Sequence, residues 1–169
     1  METSKKYNNY PFWIVVVANV NSLFLYFLGS YIMFQSGLIY GWLYLAFVLF
    51  MEIRLISQHC INCYYFGKRC GFARGNLSAL FFKKGDPSFF CKKEMTWNEM
   101  IPDLLISLIP FLTGIVLIIL KFNFIILVAL ILIVALSTLG NGYVRGNLTC
   151  KYCKQKELGC PADALFNKK

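Results

Sequence analysis

Ionisable side chains are scarce in this chain. Only 15% of its 169 residues are charged, with 8 Asp and Glu in all and a single His. One imidazole excludes a metallohydrolase centre built on several histidines. There is no Gly-rich phosphate loop, no H-E-x-x-H and no Ser-His-Asp order with a nucleophile elbow, so no motif points to those chemistries. So little charge, beside 58% hydrophobic residues and a mean hydropathy of +0.59, also rules out an ordinary soluble domain. The formal charge of +9 does not call for nucleic acid either, because the basic residues flank cysteines and form no recognisable reader.

What the chain does have is apolar length. A bilayer core of about 30 Å needs roughly 20 helical residues, since each rises about 1.5 Å. Four runs come close: Pro11 to Phe34, Leu38 to Ile56, Ile101 to Leu120, and Phe124 to Leu139. Gln35, Ser36 and Gly37 alone separate the first two, and Lys121, Phe122 and Asn123 the last two, so both pairs read as tight helical hairpins. The first run has no small-residue cleavage site after a short apolar core and is expected to be retained rather than cleaved as a signal peptide. Thr96 and Glu99 fit a capping box for the third run, Trp97 fits an interfacial anchor, and Pro110 is expected to kink it.

The expected organisation is therefore an all-α integral membrane protein of four transmembrane helices in two tandem hairpins, each followed by a cysteine-rich cytoplasmic motif. Residues 1–10 form a cytoplasmic N-terminus, 11–56 the first hairpin, 57–98 a cysteine-rich loop, 99–139 the second hairpin and 140–169 a cysteine-rich tail. Charge sets the orientation. Of 17 Lys and Arg, Lys121 alone falls in an outer turn, and the rest share the side of the termini, the loop and the tail, which is the cytoplasmic side by the positive-inside bias. The expected partners are the lipid bilayer and anionic headgroups, at about 1 kcal/mol per basic residue, with a protein partner or a second copy as a further option.

All seven cysteines and the histidine lie in the two polar segments. After the second run stands His59-Cys60-Ile61-Asn62-Cys63, with Cys70 beyond; after the fourth stands Thr149-Cys150-Lys151-Tyr152-Cys153, with Cys160 beyond. Both read C-x2-C-x6-C, and Ala79-Leu80-Phe81 in the first is echoed by Ala164-Leu165-Phe166 in the second. The chain reads as a duplicated unit whose halves share one orientation, as in parallel membrane repeats.

A C-x2-C turn directs two sulfurs to one point, and a third Cys leaves each motif one ligand short of a tetrahedral site. Cys91 and His59 are the spare donors, which brings the set to the eight ligands that two sites require. Cys60, Cys63, Cys70 and Cys91 are assigned to the first site. Cys150, Cys153 and Cys160 form the second, with His59 as its fourth ligand, unless His59 joins the first site or stays a solvated imidazole. One combined site using both C-x2-C pairs is the other arrangement. Cytoplasmic thiols stay reduced, which favours metal over disulfides, and structural zinc at two sites is the first expectation. An iron-sulfur cluster is the alternative; Cys160-Pro161 resembles the Cys-Pro that closes some ferredoxin motifs, although the spacing differs. Tyr64, Tyr65, Phe66 and Tyr152 beside the motifs are expected to rest on the membrane surface.

Four helices with C-x-x-C also resemble the quinone-coupled disulfide-forming enzymes and the vitamin K epoxide reductases. That resemblance implies a C-x-x-C pair passing electrons to a quinone, with Cys60/Cys63 and Cys150/Cys153 as the pairs. The third Cys of each motif and the reducing side depart from the pattern. Within the apolar runs, Glu52 and Asp103 are ionisable candidates close to an interface, and Asn19 and Asn21 read as interhelical hydrogen-bonding groups. The functional expectation is a zinc-stabilised cytoplasmic cap serving an interaction or regulatory role, with a membrane-bound redox protein as the alternative. The residues neither require nor exclude an enzyme.

Overall fold

The structure, a computed structural model, describes residues 6–86 and 97–160, with residues 97–100 as backbone only. Cys91, the Thr96–Glu99 capping box, the Trp97 anchor and the Ala164-Leu165-Phe166 echo lie outside that description. Within it every regular element is helical: α1 (Phe12–Ser36), α2 (Leu38–Gln58), a short α3 (Arg74–Phe81), α4 (Trp97–Leu120) and α5 (Phe124–Ala135). Four helical stretches, Phe12–Ser36, Leu38–Asn62, Ile101–Leu120 and Phe124–Tyr152, are long and apolar enough to cross a membrane.

Local chemistry explains where the helices stop. Gly37, the one residue between α1 and α2, has φ +152°, a conformation that side-chain-bearing residues rarely adopt. Asn123 starts α5 by accepting the Ile125 amide on its side-chain oxygen at 2.9 Å.

The fourth run does not end at Leu139. Helical turns continue through wide π-type stretches at Leu136–Gly140 and Val144–Thr149. The Ser137 and Thr138 hydroxyls both donate to the Val134 carbonyl and compete with the backbone ladder there. The Thr149 hydroxyl returns five residues to the Val144 carbonyl at 3.1 Å. The chain thus stays helical through the Gly140-Asn141-Gly142 sequence, with wide turns on either side of it.

The chain divides into two compact units, one of Val20–Glu52 and Asn98–Gly142, the other of Met1–Asn19, Ile53–Trp97 and Tyr143–Lys169. The first is apolar. One cluster of buried side chains joins Leu25, Met33, Tyr44, Val48, Met51 and Ile106, and another joins Leu28, Ile32, Ala129, Leu130 and Ile133. Small residues set the spacing: a methyl group on Gly29 would strike the Tyr44 ring, one on Gly41 the Phe34 ring, and one on Gly114 the Leu130 side chain. Large apolar side chains face outward along every span; Phe27 is 65% exposed, Ile39 73% and Ile119 77%. That much outward apolar surface exceeds what a water-soluble monomer carries and suits contact with lipid.

Pro110 lies within α4 and is buried. Having no N–H, it cannot donate to the carbonyl four residues earlier, that of Ile106. The Tyr44 hydroxyl donates to that carbonyl instead, at 2.7 Å. Other polar side chains within the spans are hydrogen-bonded. Asn21 donates to Asn141 at 3.4 Å, between helices as expected, whereas Asn19 donates back to the Val15 carbonyl of its own helix at 2.8 Å. Glu52 accepts from the Tyr26 hydroxyl, and Asp103 lies at an exposed position of α4.

Candidate functional site

The second unit holds the cysteines. In each C-x2-C the backbone makes one 3-10 turn, Cys60–Asn62 and Cys150–Tyr152. A 3-10 turn eclipses residues three apart, so the two cysteines of each motif lie on one side of the turn. The two turns follow nearly the same path. His59 enters the first at φ −106°, ψ −48° and Thr149 enters the second at φ −104°, ψ −60°. Cys63 and Cys153 leave in extended conformation, each donating its amide to the first cysteine's carbonyl, at 3.3 and 3.2 Å. His59 thus takes the place in the first turn that Thr149 takes in the second.

Both turns close on one aromatic cluster. Tyr10, Ile14, Val15 and Tyr65 are buried together, with Cys63, Cys70 and Cys153 packed against them. The chain's first described segment threads between the motifs: Tyr7 donates its amide to the Tyr152 carbonyl, and Tyr10 donates its amide to the Arg69 carbonyl and its hydroxyl to the Thr149 carbonyl. Tyr65 ties the halves together, its hydroxyl donating to the Tyr7 carbonyl at 2.7 Å and accepting the Lys154 amide at 3.0 Å. Gln155, nearly fully buried, accepts the Tyr64 amide on its side-chain oxygen at 2.7 Å. Tyr65 therefore belongs to the interior of this unit and does not rest on a membrane surface.

Burial dominates the electrostatics. It pushes the Cys63 thiol up to about 12, with the neighbouring sulfurs of Cys153, Cys70 and Cys160 acting in the same direction. Cys153 is raised for the same first reason, with Cys150 and Cys160 adding to it. Backbone amides oppose this: that of Tyr65 at Cys63, and those of Gln155 and Lys156 at Cys153, stabilise a thiolate. The sulfur of Cys70 accepts the Gly75 amide at 3.3 Å. Each of these three sulfurs thus has amide donors directed at it, an arrangement that supports negative charge on sulfur once the proton has left.

None of the six described cysteines is disulfide-bonded. The sequence divides the donors into two sets of four; the structure brings Cys63, Cys70 and Cys153 to one cluster and leaves Cys150 exposed. Among the described residues, no group of three or more His, Cys, Asp or Glu converges closely enough to hold a metal ion. Sequence reasoning missed Tyr7, Tyr10 and Gln155, which join the motifs. The only sequence sign was a pair of tyrosines just before the first apolar run. Compared with protein family models, characterised proteins and solved structures, the chain has no match.

Proposed function

We propose that this chain is an integral membrane protein of two tandem helical hairpins, each followed by a cytoplasmic cysteine motif, and that the two motifs jointly bind zinc. The zinc-braced cap would serve as an interaction or regulatory surface. The observation that carries this reading is the placement of Cys63 and Cys153, the second cysteines of two near-identical turns, against the same aromatic cluster.

The proposed donors are Cys63, Cys70 and Cys153, which pack against that cluster, and Cys160, whose sulfur acts electrostatically on those of Cys63 and Cys153. An ion would have to draw them together, so binding would also order the cap. Zinc supplies a Lewis acid that displaces thiol protons, and the amides already directed at Cys63, Cys70 and Cys153 would hold the resulting thiolates. A shared site modifies the two-site expectation and leaves Cys60, Cys150 and His59 outside the set of ligands. Equivalent turns in the two halves support the reading as a duplicated unit. The distribution of Lys and Arg supports the cytoplasmic side.

Elemental analysis of protein purified without chelator tests the proposal. One zinc per chain in a colourless protein is the expected result. A brown, iron-containing protein would establish the iron-sulfur alternative, and a metal-free protein would overturn metal binding in favour of the thiol reading. Labelling of Cys150 by an impermeant thiol reagent on intact cells would overturn the orientation.

A further inference from the structure

We infer that α3 is an interfacial anchor that lies in the headgroup layer of the bilayer crossed by α2, with Leu77, Leu80 and Phe81 as the inserted face. The inference rests on α2 crossing a membrane and is independent of metal.

The inward face of α3 is made of small residues. Gly75 and Ser78, three positions apart, are buried; a methyl group on Gly75 would strike the Tyr65 carbonyl oxygen, and the Ser78 hydroxyl donates to the Gly75 carbonyl. The opposite face carries Leu77, Leu80 and Phe81 at i, i+3, i+4 spacing, and these are 42%, 77% and 74% exposed. A polar unit that turns such a stripe outward presents it to something apolar.

The depth of α3 identifies the bilayer as that partner. The Gly85 amide donates to the Ile61 carbonyl at 3.0 Å, and Gly85 lies against the Asn62 side chain. Ile61 and Asn62 are the last two residues of the span Leu38–Asn62. The segment leaving α3 is therefore tied to the end of a membrane span, at the level where acyl chains give way to headgroups. The charge is complementary as well: Lys83 and Lys84 follow the apolar stripe directly and are exposed. Outward apolar residues flanked by lysines are the pattern of helices lying in an anionic interface.

Photo-crosslinking in native membranes tests this on the full chain. With Leu80 replaced by p-benzoyl-phenylalanine, irradiation should yield an adduct heavier by one phospholipid, as should the same probe at Leu49, a 63% exposed position inside α2. Lys83→Glu with Lys84→Glu should lower the Leu80 adduct several-fold and leave the Leu49 adduct unchanged. A crosslink from Leu80 to another protein or to a second copy overturns the inference, as does lipid capture at Leu49 with none at Leu80. A Leu80 adduct insensitive to charge reversal overturns the role of anionic headgroups. Failure at both positions would instead count against α2 as a membrane span, and the anchor would fall with it.

Discussion

The Tyr44 hydroxyl stands 2.7 Å from the Ile106 carbonyl, the one that Pro110 leaves without its helical donor. A span can thus carry an internal proline because a neighbouring helix supplies the missing hydrogen. Tyr44→Phe should destabilise the protein in bicelles by about 1–2 kcal/mol, since the carbonyl loses its partner in hydrocarbon. Pro110→Ala restores the backbone donor. In the Pro110→Ala background, Tyr44→Phe should therefore cost much less, and a double-mutant cycle reads the difference. Additive effects would show that the hydroxyl does not replace the proline's missing donor.

Cys63→Ser and Cys153→Ser separate a shared metal site from two independent ones. With one site drawn from both motifs, either substitution should abolish zinc binding, and the two together should do no more. Independent sites would each lose half of the metal. Elemental analysis of the purified variants decides between these outcomes.

Tyr65 gives the cap an alkaline limit. Its phenol is pushed up from 10.0 to about 12, chiefly by burial. A phenol raised in the folded state favours the fold while it stays protonated; that contribution is intact below pH 10 and is lost as pH rises toward 12. Ionisation of Tyr65, followed by tyrosinate absorbance against a Tyr65→Phe control, should be displaced upward toward pH 12 while the cap stays folded. Titration at the ordinary phenol value with the cap intact would contradict its burial.

Gly75→Ala should be costly although the change is a single methyl group. The added carbon would collide with the Tyr65 carbonyl oxygen, a backbone atom that no rotamer change can move. Overpacking of this kind costs about 1–3 kcal/mol. Reduced thermal stability, with faster proteolysis between Gly67 and Gly85, is the expected readout. Gly142→Ala, where nothing lies within 4 Å, should be neutral and serves as the control.

Much of the helical architecture is legible in the order of residues. Gln35-Ser36-Gly37 marks the break between α1 and α2, which the structure places at Gly37, and Asn123 marks the start of α5. The continuation of helical turns beyond α5 to Thr149 was not legible, because Gly140 and Gly142 normally stop a helix. For the site, the sequence shows two matching cysteine motifs, and the two matching turns follow locally from C-x2-C. It does not show that Tyr7 and Tyr10 pass between them.

Apolar run length was enough by itself to place four helical spans, because bilayer thickness and helix rise are matched residue by residue along a continuous stretch. Which cysteines pack against the aromatic cluster was decided only by tertiary structure. Tyr10 reaches Thr149 across 139 positions, and the Tyr64 amide reaches Gln155 across 91. Contacts this remote depend on the burial of aromatic rings and the pairing of buried polar groups, neither of which leaves a spacing in the sequence.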